Sequence, residues 1–274
     1  MRLTLTSNIP VTAADVISGG TLYLTPYLSG DIWVPDSGGT WVRRNTSQLS
    51  LSLSGATQAV YDVFVWDNGG TLTLKLSTAW TNSTTRANAL TTLNGITVNG
   101  STEGSMAASR GLWLGMIRPY SANTCDDQVA MRGLLNAFNK VPRKLFACPN
   151  YFDNNASTTY TLGNVSVYTA FPATANGFLF LSDGATPYEC DWQCLAGGTN
   201  IVGVAENATS GVRAVSQAAA STMNSGSYSG ILAAGLHSLI FVYKNAAVTA
   251  TADAARTGAT ADPPATFLKA TMHG

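Results

Sequence analysis

A chain of 274 residues, 45% of them hydrophobic, is long enough for one large domain or two domains of ordinary size. Only 11% of the residues are charged, and the 15 basic and 15 acidic side chains cancel. This balance argues against nucleic acid as the main partner, because phosphate binding requires clustered Lys and Arg.

Short β-strands separated by turn residues characterise the first half. Runs rich in β-branched, aromatic and leucine residues occur at 21–25, 31–34, 40–43 and 49–54, and Pro, Gly, Asp or Ser bounds them. The turn cluster Pro-Asp-Ser-Gly-Gly at 35–39 predicts a hairpin between the runs at 31–34 and 40–43. The strongest local signal is the pair of runs at 60–66 and 71–76, because the Asp-Asn-Gly-Gly between them favours a tight hairpin turn. Residues 112–118 form a further candidate for a buried strand.

One helix is predicted at the end of this half, over residues 125–141. Thr124 is a suitable N-cap, and Asp126 and Asp127 would place negative charge in the first turn, where it suits the helix dipole. Pro142 would end the helix. Apolar residues follow at close to helical spacing: Val129, Leu134, Leu135 and Phe138. A shorter helix is a further option at 84–93.

After about residue 145 the chain reads as strand and turn. Candidate strands are 158–162, 165–171, 177–181, 188–195, 200–205, 212–218, 228–233, 236–244 and 266–272. Their spacing is typical of a sandwich or jelly roll. We therefore predict a mainly β fold with two β-sandwich or jelly-roll-like domains, 1–145 with the helix at its end and 146–274. The last strand should be tucked into a sheet, because an open edge invites pairing.

The run at 236–244 offers apolar side chains on both faces of a strand. One interpretation is the central strand of a sandwich; the other is a strand with one face on the core and one on a neighbouring subunit. The second interpretation favours a homotrimer. Its candidate interface residues are Leu239, Phe241 and Tyr243.

Catalytic chemistry is sparsely represented, and we predict no catalytic residue. The only histidines are His237 and His273, and no Gly-x-Ser-x-Gly elbow is present. Glu189 and Asp191 would share a strand face about 6–7 Å apart, a spacing that permits glycoside cleavage without specifying it. His237 is interpreted as a packed strand histidine.

We also predict no metal and no cofactor. Cys190 and Cys194 would lie about 13 Å apart on one strand, too far for a disulfide. A metal site there lacks the second Cys/His pair that would complete the ligand set. Buried free thiols are the expectation for all four cysteines: Cys125, Cys148, Cys190 and Cys194.

Six tryptophans are many for a chain with so few charges. We expect at least four of them to fill the cores. A tryptophan exposed on a β-surface would instead be suited to stacking on sugar rings, as in lectins.

The first 145 residues resemble a recurrent domain of phage structural proteins of the tail-fibre and head-fibre kind. The similar segments are 3–6 (Leu-Thr-Leu-Thr), 10–12 (Pro-Val-Thr), 21–27 (Thr-Leu-Tyr-Leu-Thr-Pro-Tyr), 61–65 (Tyr-Asp-Val-Phe-Val), 86–90, 113–117 (Trp-Leu-Gly-Met-Ile) and the predicted helix with its Asn-x-Val end. The second half is similar in pattern to the trimeric jelly rolls that end many such appendages, through residues 235–243 and the last strand.

The resemblance implies a non-enzymatic virion structural protein on the phage particle surface: a head fibre, decoration protein or tail-fibre component. Its partners would be further copies of itself and other virion proteins of the capsid or tail. A carbohydrate-binding module that recognises the host surface is the alternative, and a polysaccharide hydrolase is the second alternative. Residues 1–6 alternate instead of forming the apolar core of a signal peptide, and no run approaches the roughly 18 apolar residues of a membrane span. We therefore expect synthesis in the host cytoplasm.

Overall fold

The computed structural model describes residues 1–147, 161–162, 177–196, 200–208, 210–217, 222–245 and 267–273. These residues contain β-strands and no helix, so the prediction of a mainly β fold is confirmed. Among them there is accordingly no helix of the length and apolar character that would cross a membrane. The strands are β1 (Arg2–Thr4), β2 (Val16–Gly19), β3 (Thr21–Thr25), β4 (Asp31–Pro35), β5 (Trp41–Asn45), β6 (Leu49–Ser52), β7 (Tyr61–Asn68), β8 (Thr71–Leu76), β9 (Leu90–Leu93), β10 (Ile96–Asn99), β11 (Gly111–Ile117), β12 (Cys125–Gln128), β13 (Met131–Arg132), β14 (Leu134–Asn136), β15 (Pro142–Ala147), β16 (Thr161–Leu162), β17 (Gly177–Asp183), β18 (Pro187–Ala196), β19 (Asn200–Glu206), β20 (Val212–Gln217), β21 (Thr222–Ile231), β22 (Ala234–Asn245) and β23 (Phe267–His273).

Two small sheets and one larger sheet form the first part of the fold. The order of the larger sheet is β8-β7-β11-β10-β9, with β14 also paired to β11; β1-β3-β6 and the β4–β5 hairpin are separate. Leucine and valine side chains from all three make the first core, among them Leu22, Val34 and Val63. The predicted β7–β8 hairpin is confirmed. Gly69 and Gly70 occupy its turn with φ of 63° and 95°, a backbone region that glycine enters without steric cost.

Two sheets of the second part enclose a second core. One has the order β15-β23-β18-β21, and the other β2-β12-β13-β17-β22-β19-β20, with β16 paired to β22. The second core includes Phe178, Phe180, Trp192 and Leu268. Strand β23 lies between β15 and β18, so the last strand is tucked into a sheet as expected.

The predicted helix at 125–141 is wrong. Its residues form the short strands β12, β13 and β14, which pair with β2, β17 and β11. Asp126, predicted for the first turn of the helix, lies in β12, and its carboxylate accepts a hydrogen bond from the distant Ser18 backbone N–H at 2.6 Å. Phe138, assigned to a buried helix face, is 44% exposed. The shorter helix at 84–93 is also wrong, since this segment consists of bends and β9.

The proposed domain boundary at 145/146 falls inside β15. One sheet joins β2, β12 and β13 of the first half to β17 and β22 of the second. The second core likewise takes Val60, Trp80, Met116 and Leu135 from the first half. Whether each half folds alone stays a prediction. The predicted strand at 165–171 lies outside the described residues, and only 161–162 of the strand at 158–162 are described.

Candidate functional site

The structure places two of the three predicted interface residues in the interior of a single chain. Leu239 and Phe241 on β22 are both fully buried in the second core. Tyr243 pairs with Val202 of β19 along the backbone, and its side chain lies outside the description. Leu239 and Phe241 are thus core residues, and a trimer of this fold would have to use other side chains.

His237 lies in a buried polar cluster between β19 and β22. Its Nε2 atom donates to the carbonyl oxygen of Ala233 at 2.8 Å, and its Nδ1 atom is 3.2 Å from Glu206 Oε1 and 3.2 Å from the amide nitrogen of Asn207. Arg213 of β20 donates to Glu206 through Nε at 2.8 Å. Both ring nitrogens therefore have partners inside the protein, as expected for a packed strand histidine.

Asp62 forms a second buried cluster at the side of β7 that faces the second core. Its carboxylate accepts hydrogen bonds from the indole N–H groups of Trp80 and Trp113, each at 2.8 Å, and from Arg86 at 2.9–3.2 Å. The guanidinium carbon of Arg86 stands 4.3 Å from the ring centroid of Trp80. Burial raises the pKa of Asp62 and outweighs the hydrogen bonds, which act to lower it.

The other carboxylates considered for chemistry do not gather at one site. Asp127 is buried between Arg132, at 3.1 Å, and Arg143, at 2.6 Å. Glu189 is exposed on β18, and Asp191 forms an ion pair of 3.4 Å with Lys269 in which both side chains are about half exposed. Glu189 and Asp191 lie two residues apart on β18. Their use in glycoside cleavage stays untested.

Cys125 and Cys190 are free, buried thiols, which confirms the expectation for these two. Burial raises the pKa of both groups, that of Cys190 to about 12. Cys148 lies outside the described residues, and the side chain of Cys194 is not described. Within the described part of the chain, no three His, Cys, Asp or Glu side chains come together as metal ligands would.

The tryptophans divide by position in the fold. Three tryptophans are buried, one fewer than the four expected: Trp66, Trp80 and Trp192. Trp41 and Trp113 are half-buried. Trp33 is 56% exposed, the largest aromatic surface left open in the described residues.

Trp33 stands on the outer side of the β4–β5 hairpin among polar side chains. The register sets Trp33 directly opposite Arg43, and Asp31 directly opposite Asn45. Asp31 accepts hydrogen bonds from Arg43 at 2.6 Å and from the Asn45 amide at 2.8 Å. These hydrogen bonds, that of Arg43 first, lower the pKa of Asp31. We call Asp31, Trp33, Arg43 and Asn45 the hairpin face.

The opposite side of the β4–β5 hairpin packs against the rest of the protein. Ile32 and Val34, which alternate with Asp31 and Trp33, are 8% and 0% exposed and pack into the first core. Arg44 on β5 donates to the buried carboxylate of Asp67 at the end of β7, through Nε at 2.9 Å. An exposed indole is thus carried on a strand whose other side is fixed.

Strand alternation in the sequence predicts the exposure of Trp33, which the number of tryptophans alone does not. In Asp-Ile-Trp-Val at 31–34, period-2 alternation puts Trp33 on the side of Asp31 and away from Ile32 and Val34. A tryptophan that alternates in phase with a charged residue, opposite two β-branched ones, is expected to face solvent.

Comparison with known proteins identifies no family. No family model and no curated protein matches the chain. Among solved structures, dimeric latent PorU from Porphyromonas gingivalis aligns over 95% of this chain and 24% of its own, with 10% identity and a TM-score of 0.29. Insecticidal δ-endotoxin Cry8Ea1 from Bacillus thuringiensis aligns over 93% and 49%, with 6% identity and a TM-score of 0.29.

A third solved structure is the stem and receptor-binding domain of spike protein P1 from bacteriophage PM2. It aligns over 94% of this chain and 98% of its own, with 11% identity and a TM-score of 0.21. This chain thus spans about a quarter of PorU and half of Cry8Ea1. At such scores none of the three likenesses carries an argument about function.

Proposed function

We propose that the protein is a non-enzymatic structural protein displayed on the surface of a phage particle, as a head fibre, decoration protein or tail-fibre component. The resemblance of residues 1–145 to phage appendage proteins supports this class. The mainly β fold, with its last strand enclosed between β15 and β18, suits a rigid module that shows one surface to its surroundings.

One structural observation carries the proposal: buried carboxylates join segments of the chain that lie far apart in sequence. Asp62 binds Arg86 across 24 residues, and Glu206 contacts His237 across 31. Each of these groups is occupied by partners from the protein itself. Such internal ties give a scaffold its register and stiffness, which a displayed particle component needs.

The protein should be found in purified virions of the phage that encodes it. Mass spectrometry of particles banded on a density gradient should detect it at a fixed copy number relative to the major capsid protein, and antibodies against it should decorate intact particles in electron micrographs. Recovery of the protein only from the particle-free lysate would contradict the proposal.

A homotrimer remains part of this proposal. On the face of β22 opposite Leu239 and Phe241, Val242 is fully buried, whereas Leu236 and Ile240 are half-buried and keep part of their apolar surface for a subunit contact. Sedimentation equilibrium at micromolar concentration should give three times the mass of 28.6 kDa. A monomer would rule out the trimer and leave the rest of the proposal unaffected.

Carbohydrate binding is the second candidate function, because one specific observation favours it. The exposed Trp33 is flanked by hydrogen-bonding side chains on a fixed strand. Recognition of a host-surface glycan would be compatible with a place on the particle, so the two functions do not exclude each other.

A further inference from the structure

We propose that the hairpin face is a binding site for an uncharged saccharide, with the sugar ring stacked on Trp33. The inference rests on the proposed function, because a surface component of a phage particle meets the polysaccharides of the host envelope. It assigns the site and the ligand class, neither of which follows from display on a particle.

The indole supplies the stacking surface. Trp33 is 56% exposed although the residues on either side of it in β4 are buried. The face of an indole carries partial negative charge, and the C–H groups of a pyranose ring carry partial positive charge, so the two pack face to face. Since β4 fixes the backbone, little conformational freedom remains to be lost on binding.

The polar groups supply the hydrogen bonds that orient the sugar. Arg43 and Asn45 both donate to Asp31, so the three side chains lie next to one another on the hairpin face. A guanidinium, a carboxylate and an amide together offer donors and acceptors to neighbouring hydroxyl groups of a sugar. Ligand sites generally combine such a stacking surface with a few fixed polar groups.

The balance of charge selects the ligand class. The single positive charge of Arg43 is matched by Asp31 at 2.6 Å, so the hairpin face is neutral overall. A phosphate or polyanionic chain would need unpaired basic groups. A protein partner would need a contact surface of about 800 Å², whereas the apolar part of the hairpin face is a single indole bordered by polar side chains. An uncharged sugar fits both the size and the charge.

The test measures binding of the purified full chain to a printed array of bacterial surface polysaccharides, followed by affinity measurements on each polysaccharide bound. Trp33→Ala should weaken binding by about tenfold or more, the scale of a lost aromatic stacking contact. Trp33→Phe should retain most of the affinity. Phe138→Ala is the matched control, because Phe138 is another exposed aromatic, at 44%, and lies outside the hairpin face.

A binding assay on cells of the host bacterium distinguishes a sugar receptor from a protein receptor. Periodate oxidation of the cells, which cleaves sugar diols, should abolish binding of the wild-type chain, and protease treatment should leave it unchanged. The opposite pattern would overturn the inference in favour of a protein partner. The inference would also be overturned if the wild-type chain bound no polysaccharide on the array, or if wild type and Trp33→Ala bound with equal affinity.

These outcomes can be told apart from failure of the proposed function. If the chain is absent from virions, the display role fails whatever the array shows. If the chain is present in virions but binds no saccharide through Trp33, only the assignment of the hairpin face fails. Thermal unfolding of each variant should match wild type, because the replaced side chains are exposed.

Discussion

Replacing Asp62 by alanine removes the acceptor at the centre of a buried cluster. Asp62 is 1% exposed and receives hydrogen bonds from two indoles and one guanidinium. The side chain of Arg86 is itself only 21% exposed. The substitution would leave the partly buried guanidinium of Arg86 and two indole N–H groups, one on the buried Trp80 and one on the half-buried Trp113, without their acceptor.

The size of the effect follows from these lost partners. Breaking a buried ion pair from one side costs about 3–5 kcal/mol, and a buried N–H left without an acceptor costs about 1–3 kcal/mol. The two contributions overlap, because the indoles can shift once the carboxylate is gone. We expect a loss of about 4–6 kcal/mol in the free energy of unfolding, a large part of the roughly 5–15 kcal/mol typical of a domain.

Urea unfolding followed by circular dichroism measures this loss. Asp191→Ala is the control, since it removes an aspartate from an ion pair that is about half exposed and should cost about 0–1 kcal/mol. The double replacement of Asp62 and Arg86 by leucine and methionine should cost less than Asp62→Ala alone, because no charge is left buried. A loss below about 1 kcal/mol for Asp62→Ala would refute the reasoning.

Three further substitutions test other features. Burial raises the pKa of Asp183, but hydrogen bonds from Lys140 and two backbone N–H groups lower it more, to about 2. The ionised carboxylate therefore stabilises the fold above about pH 4, and this contribution is lost as the pH falls toward 2. In urea titrations, the free energy of unfolding of Asp183→Asn should fall by about 1 kcal/mol less than that of wild type over this pH range, after allowance for solvent screening. An unchanged pH profile would contradict this. Gly115→Ala should cost roughly 3 kcal/mol by the same assay, because φ is 144° and an added Cβ would overlap the carbonyl oxygen of Leu135; a loss under about 1 kcal/mol would argue against it. Phe138→Ala should cost under about 1 kcal/mol, since this ring is exposed, and a loss of about 3–5 kcal/mol would restore the packed helix face.

Local turn chemistry made two of the hairpins in the first half predictable. The Gly69-Gly70 turn after Asn68 and the Pro-Asp-Ser-Gly-Gly segment at 35–39 each specify a reversal between runs rich in β-branched and aromatic residues. Both hairpins form with the expected strands, β4 with β5 and β7 with β8. In each case the deciding interactions lie within a few residues of one another, which is the range that a single sequence reveals.

The segment 125–141 shows where local signals mislead. Leu134 and Leu135 were both assigned to one helix face, yet Leu134 packs into the first core and Leu135 into the second. Adjacent apolar residues fit a strand covered on both sides as well as they fit a helix. The deciding contacts are long-range: Asn136 bonds the backbone of Leu3, 133 residues away, through both its carbonyl and its amide group. No local pattern reports such a partner.

Strand β22 shows a related ambiguity. Alternation correctly groups Leu239 with Phe241 and separates them from Ile240, but it does not say which group meets the interior. The structure packs Leu239 and Phe241 into the second core with Trp192 of β18, and on the opposite face it fully buries Val242 while leaving Leu236 and Ile240 half-buried. The sequence therefore predicts the two faces of the strand, and only the arrangement of sheets assigns them.

The polar contacts of this charge-poor chain fall into two kinds, which differ in sequence separation and in exposure to solvent. Buried contacts such as Leu3–Asn136, 133 residues apart, bring distant segments together. Such contacts specify pairing that hydrophobic alternation leaves open, because an unsatisfied buried group penalises any other register. The Arg43–Asp31 pair spans only 12 residues of one hairpin and is exposed. Substitution there leaves the long-range contacts intact, so the surface around Trp33 can vary in sequence without a change of fold.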